Sequence, residues 1–153
     1  MEKYDTNDIV IIRTTIEKVW DFFENLEDNY LKWHVKDHIS LKWIKGKPHT
    51  VGSVVKASEY ILGRKVTIKM TCIYIKKYHE IRYKTHFPMS LFHPASKYEM
   101  KASNGLIEFV ATNSFVIPSF GRKRMLALIK DTERHIREEG LILKDILEKD
   151  DVK

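Results

Sequence analysis

The spacing of apolar residues along the chain changes twice, and the changes divide it into three parts. From Asp8 to Thr14 apolar residues run together as a β-rich segment around Ile9-Val10-Ile11-Ile12. Thr15-Ile16-Glu17-Lys18 then reads as a helix cap, and Val19, Trp20, Phe22, Phe23 and Leu26 follow at helical spacing. Glu27 to about His34 makes a second short helix. From Ile39 the period drops to two, with turn signals at Gly46-Lys47-Pro48, Leu62-Gly63, Lys76-Lys77, Pro88, Pro94 and Asn104-Gly105. This predicts about six further antiparallel strands, with Asn104-Gly105 as the clearest tight hairpin. After Pro118 the helical period returns, and Gly121 to Leu147 reads as one long helix.

The predicted class is therefore α+β: a seven-stranded curved antiparallel sheet around a long C-terminal helix, with two short helices after strand 1. A sheet that is apolar on one face must be covered, and the long helix is the element available to cover it. One helix cannot fill the whole concave side, so a cavity is expected between them. No repeat or linker interrupts residues 1–153, which are expected to form a single domain.

Composition narrows the function classes. The longest aliphatic run is far too short to span a bilayer, and the polar start of the chain is not a secretory signal, so a cytoplasmic location is the default. The single cysteine, Cys72, excludes an internal disulfide and is expected to pack as a small hydrophobe. The net charge of +6 raises the question of nucleic acid, but the cations are scattered and the densest knot is Arg122-Lys123-Arg124. Nucleic acid is accordingly not the expected partner; a basic-surface interaction protein is kept as a minor reading, and homodimerisation is left open.

Two carboxylates stand where leucines are expected. Projected at about 100° per residue, Met125, Leu128, Thr132, Leu143 and Ile146 fall within about 40° of one line, with Ile129, Ile136 and Leu147 beside it. Glu139 lies on that line and His135 one turn earlier on the same face, whereas Lys130, Arg134, Arg137 and Lys144 point away toward solvent. In the strand ending at Ile61, Glu59 shares a face with Val55, Ala57 and Ile61. A carboxylate on a core face costs several kcal/mol unless it is neutralised, paired or bound to a cation. His38 sits where helix gives way to strand and can reach the cavity. Two histidines and two glutamates from separate segments make an N2O2 metal set, with Asp37 or a backbone carbonyl able to support it.

The opening Ile11 to Trp20 and the later Gly46 to Gly52 turn resemble the helix-grip superfamily, which includes START lipid-binding domains, the birch-pollen allergen family and polyketide cyclases. The resemblance implies a cavity for a hydrophobic ligand beneath the long helix. Within it, Trp33-His34-x-x-Asp37-His38, Ala57-Ser58-Glu59 and His135 to Glu139 are similar to the zinc-dependent diacetylphloroglucinol hydrolase family. That likeness implies zinc held by His38, Glu59, His135 and Glu139, a substrate-contacting Tyr30, and His93 as the proton-handling histidine; in the hydrolysis the proton for the leaving carbon would come from Tyr30, His93 or His34. The chain is shorter than that hydrolase, and its interval from His38 to Glu59 is shorter too.

Two functions are thus expected. The first is a metal-dependent hydrolase that cuts a carbon–carbon bond in an acylated phenol or β-diketone-like molecule, with zinc, manganese or iron acceptable to the donor set. The second is a non-catalytic module that holds a lipid, polyketide or aromatic metabolite. Trp20, Trp33, Trp43, Tyr60, Tyr83, Tyr98, Phe87 and Phe115 are the aromatic residues expected either to line the pocket or to fill the core.

Overall fold

In the computed structural model, which describes residues 1–149, the chain runs β1 (Glu2–Ile12), α1 (Ile16–Glu24), α2 (Leu26–Trp33), β2 (His38–Lys45), β3 (Val54–Ile61), β4 (Arg64–Lys76), β5 (Glu80–Thr85), β6 (Ala95–Ser103), β7 (Leu106–Ile117) and α3 (Arg122–Lys149). The seven strands form one antiparallel sheet in the order β1-β7-β6-β5-β4-β3-β2. The expected α+β architecture is the one observed, with α3 across the concave face.

Local chemistry accounts for the boundaries. The Thr15 hydroxyl accepts the Lys18 N–H at 3.3 Å and caps α1. Asn25 ends α1 and starts α2, so the two short helices meet at one residue. At the β6–β7 turn Asn104 and Gly105 both have positive φ, 51° and 77°, the conformation that matches strand twist in a two-residue hairpin.

β1 is longer than the apolar run suggested. It begins at Glu2 because β7 offers a partner along its whole length, from Glu2 opposite Ile117 to Ile12 opposite Ile107. As an edge strand it can carry polar residues outward, so its first half shows no apolar signature. Between β5 and β6 the two prolines enclose a loop with a short 3-10 turn at Met89–Leu91.

The core lies between α3, the two short helices and the sheet. Phe23 is fully buried and packs against Trp33, Tyr98 and Phe109. Helix α3 contributes Met125, Ile129, Ile136, Leu143 and Leu147. It passes close to β1 at Gly140, where an added Cβ would stand 2.9 Å from Asp8 Oδ2. Cys72 is buried and free, as expected. No helix among the described residues is long and apolar enough to cross a membrane.

Candidate metal centre and cavity

The site is assembled by three elements, each for a local reason. His38 is the first residue of β2 and stands directly opposite Glu59 of β3. The pairing then slips, with Ser40 opposite Ser58 and Leu41 opposite Ala57. This bulge matters, since in a regular strand His38 and Leu41 would face opposite sides; the extra residue lets both point inward. His135 and Glu139 come from successive turns of α3 and are both buried.

The four side chains converge. His38 Nε2 lies 3.1 Å from Glu139 Oε2 and 3.9 Å from Glu59 Oε2. His135 Nε2 lies 3.4 Å from Glu59 Oε2 and 3.3 Å from Glu139 Oε1. Ligands about 2.0–2.1 Å from a tetrahedral ion stand roughly 3.3–3.4 Å apart; His38, His135 and Glu139 lie close enough together to hold an ion, and Glu59 stands 3.4–3.9 Å from the two histidines.

The hydrogen bonds behind the histidines sharpen the fit. His38 Nδ1–H donates to the Tyr30 carbonyl at 2.7 Å, and His135 Nδ1–H donates to Asp37 Oδ2 at 2.9 Å. In the neutral imidazoles this leaves each Nε2 as a lone pair aimed at carboxylate oxygens. Lone pairs facing lone pairs repel unless a proton or a metal cation lies between them.

The electrostatics agree. Burial alone would depress the His135 pKa, but Glu139, Glu59 and Asp37 outweigh it and push it up to about 10. Burial opposes the charge on Glu59, yet the bond to His135 and the charges of the nearby histidines hold its carboxyl below the ordinary range. The same competition lowers Asp37, which accepts from His135 and from Arg134 Nη2, each at 2.9 Å. A protonated His135 thus places a positive charge beside the Glu59 carboxylate.

The centre forms one end of a cavity of about 110 Å³ whose lining includes Glu59, His135 and Glu139. Much of the rest of the lining is apolar, including Leu26, Val55, Ile61, Ile68, Met70 and Ala111. Trp33, Tyr83, Tyr98 and Phe115 line it as expected, whereas Trp20, Trp43, Tyr60 and Phe87 do not. Trp20 donates to Glu24 at 2.7 Å, and Tyr60 and Phe87 face solvent.

The residues with expected proton-handling roles separate clearly. Tyr30 O–H donates to Glu59 Oε2 at 3.0 Å, and burial with the nearby carboxylates raises its pKa well above the usual tyrosine value. Its proton is therefore held by a carboxylate of the site. His93 lines the cavity, donates from Nε2 to Asn113 Oδ1 at 3.0 Å, and has its pKa lowered by burial. His34 does not line the cavity: its Nδ1 accepts the Asp37 N–H at 3.0 Å, and its Nε2 lies 3.7 Å from Asp37 and from Glu138. Its ring stacks on that of His135, with centroids 4.7 Å apart, behind the cavity wall.

Arg134 is a correction to the helix-face reading. It makes ion pairs with Asp37, Asp131 and Glu138 and so clamps the carboxylate behind His135. Its adjacency to His135 was the only signal in the chain. Asn113 was likewise missed, since a lone asparagine in a strand carries no pattern.

No protein-family model matches the chain, and no curated protein sequence does. Solved structures do match in fold. The chain is similar to the Zhui aromatase/cyclase of a Streptomyces species, at 12% identity and a TM-score of 0.80 over 97% of this chain and 95% of that one. It is also similar to a Thermus thermophilus protein, at 15% identity and a TM-score of 0.74 over 93% of this chain and 95% of that one. The major latex-like protein 151 of Panax ginseng aligns at 12% identity and a TM-score of 0.64, over 87% of this chain and 97% of that one. At such identities the likeness concerns the fold, and the fold is the helix-grip arrangement.

Proposed function

We propose that the protein holds a divalent metal ion, zinc by preference, through His38, Glu59, His135 and Glu139, and hydrolyses a carbon–carbon bond next to a carbonyl in a small acylated phenol or β-diketone-like molecule. The observation that carries this reading is that His38 and His135 each lie 3.1–3.9 Å from both Glu59 and Glu139, three of the four on the wall of a largely apolar cavity. When bound, such a cation polarises a carbonyl and makes water a better nucleophile near neutral pH.

The residues of the chain do the rest. Asp37, clamped by Arg134, fixes the His135 ring so that Nε2 faces the cavity end. Tyr30 fixes the Glu59 carboxylate. His93 is the proton-handling residue: burial keeps it neutral, and the Asn113 bond leaves its Nδ1 unprotonated and able to accept. The apolar walls exclude water from the rest of the ligand. Their volume limits the ligand, because even an isolated benzene ring occupies a cavity of about 150 Å³. A single substituted ring is thus the largest group the cavity accepts with modest opening, and a long polyketide or lipid chain requires the walls to part.

One observation favours the non-catalytic module instead. Four protein donors saturate a tetrahedral ion, as in structural sites, whereas catalytic zinc keeps a position open. The fold neighbours, among them a cyclase and a latex-like protein, also favour this module over the hydrolase.

Elemental analysis of the purified protein tests the metal directly. About one equivalent is expected, lost in His135→Ala and in Glu139→Gln; a metal-free wild type sinks the proposal. Acid release from mono- and diacylphloroglucinols then separates the two functions. Release that disappears in His93→Gln supports hydrolysis, whereas ligand-induced melting shifts without release support the binding module.

A further inference from the structure

The sheet topology places four connections at one end of the molecule: the start of β2, the β3–β4 turn, the β5–β6 loop and the β7–α3 turn. This is also the end toward which the cavity extends, since its lining there includes the partly exposed Met89, His93 and Leu128. Of the seven phenylalanines, Phe22, Phe23, Phe109 and Phe115 are buried, and the other three all stand at this end. Phe120 is 93% exposed and Phe87 77%, with Phe92, Leu91, Leu62 and Leu126 exposed beside them.

These residues are not displayed by loose chain. His86 N–H bonds to the Lys69 carbonyl, His93 N–H to Met89, and Val116 N–H to Phe92, so the β5–β6 loop is tied to β4 and β7. Leu62 N–H is held by Asp131 of α3 at 2.8 Å. The β5–β6 loop, which carries Phe87, Leu91 and Phe92, and the β3–β4 turn, which carries Leu62, are thus held to the body of the fold.

Around them the charge is positive. Arg122 pairs with Glu2, but Arg64, Lys65, Lys123 and Arg124 are exposed and form no ion pair among the described residues. Protruding aromatic tips in a ring of unpaired cations match a surface that is apolar beneath and negative at its face. A second copy of the chain fits poorly, since a face-to-face dimer brings the same cations together.

We propose that this end of the molecule docks on an anionic lipid bilayer, with Phe87 and Phe120 inserted among the acyl chains and Arg64, Lys65, Lys123 and Arg124 against the phosphates, so that the cavity mouth faces the membrane. The proposal rests on exposure and charge alone and is independent of the metal reading.

Co-sedimentation with vesicles tests it. The wild type is expected to bind vesicles of equal parts phosphatidylglycerol and phosphatidylcholine far better than pure phosphatidylcholine, and to weaken as salt rises. Phe87→Ser and Phe120→Ser should each weaken binding by roughly tenfold, and Lys123→Ala with Arg124→Ala together by roughly 30-fold. Since these side chains are exposed, melting temperature and metal content should not change. Equal binding to both vesicle types overturns the proposal, as does binding that survives Phe87→Ser and Phe120→Ser combined. A wild type that self-associates through this face, with sedimentation lost in Phe120→Ser and no vesicle binding, overturns it in favour of a dimer.

Discussion

Two histidines in this molecule are almost equally buried, His135 at 5% exposure and His49 at 8%, yet their chemistry runs in opposite directions. Burial disfavours the charged form of both. At His49 nothing opposes it: the ring packs edge-on against Trp43, meets the Tyr83 hydroxyl at 2.8 Å, and has its pKa lowered to about 4. At His135 three carboxylates reverse the outcome and carry it to about 10. Burial therefore marks a histidine as structural unless acceptors surround it. The excess of acceptors over protons is what turns a buried histidine into a cation-seeking one.

The largest expected effect follows from the proposed metal and is seen on chelation. A ligand present at a thousand times its dissociation constant stabilises the folded state by about 4 kcal/mol, or roughly 10 °C in a domain of this size. Chelation is expected to lower the melting temperature of the wild type by about that amount, and of His49→Gln by just as much. His135→Ala should melt at the same temperature with or without chelator. A wild-type melt that ignores the chelator would erase the distinction between the two histidines.

The next effect belongs to His49 and concerns pH. Its folded pKa is about 4, against an ordinary value of 6.5. Between these values the unfolded chain takes up a proton that the folded chain refuses. The stability tied to His49 is therefore full above pH 6.5 and declines as pH falls toward about 4. The difference of about 2.5 pH units corresponds to about 3 kcal/mol. Denaturant titrations at several pH values should show this decline in the wild type, and a markedly flatter profile in His49→Gln. Parallel profiles would mean that the ring is charged in the fold.

A smaller effect tests the support behind His135. Asp37→Asn keeps the shape but replaces the clamped carboxylate with an amide. Metal affinity should fall by roughly 10–100-fold, as for other groups that orient a ligand. The check is competition against a chromophoric chelator. Unchanged affinity would show that the His135 orientation is set by helix packing alone.

Much of this centre could be read from the chain, for a physical reason. Helical and strand periods are local, so Glu139 and His135 in an apolar stripe and Glu59 on the face of Val55 and Ala57 are visible without a partner. The β2 bulge that turns His38 inward is a property of two strands in register, and β2 alone does not encode it. The Arg134–Asp37 pair spans 97 positions in the chain, and a long flexible side chain can leave the face its Cβ predicts. The first half of β1 was invisible because pairing with β7, rather than its own propensity, makes it a strand.

The smallest effect returns to the structural histidine. Tyr83→Phe removes the hydroxyl that meets His49 Nε2, and His49 Nδ1 already has no partner among the described residues. A buried ring is then left with neither nitrogen bonded. Losing one such bond costs about 1 kcal/mol, less whatever is recovered by no longer burying the phenol oxygen. The expected drop in melting temperature is roughly 2–4 °C. Metal content should stay at its wild-type value, because Tyr83 touches the cavity but none of the four donors. The comparison predicts this dissociation: the His49 side changes stability without metal, and the Asp37 side changes metal affinity. A Tyr83→Phe protein that lost metal would mean the two histidines belong to one coupled network.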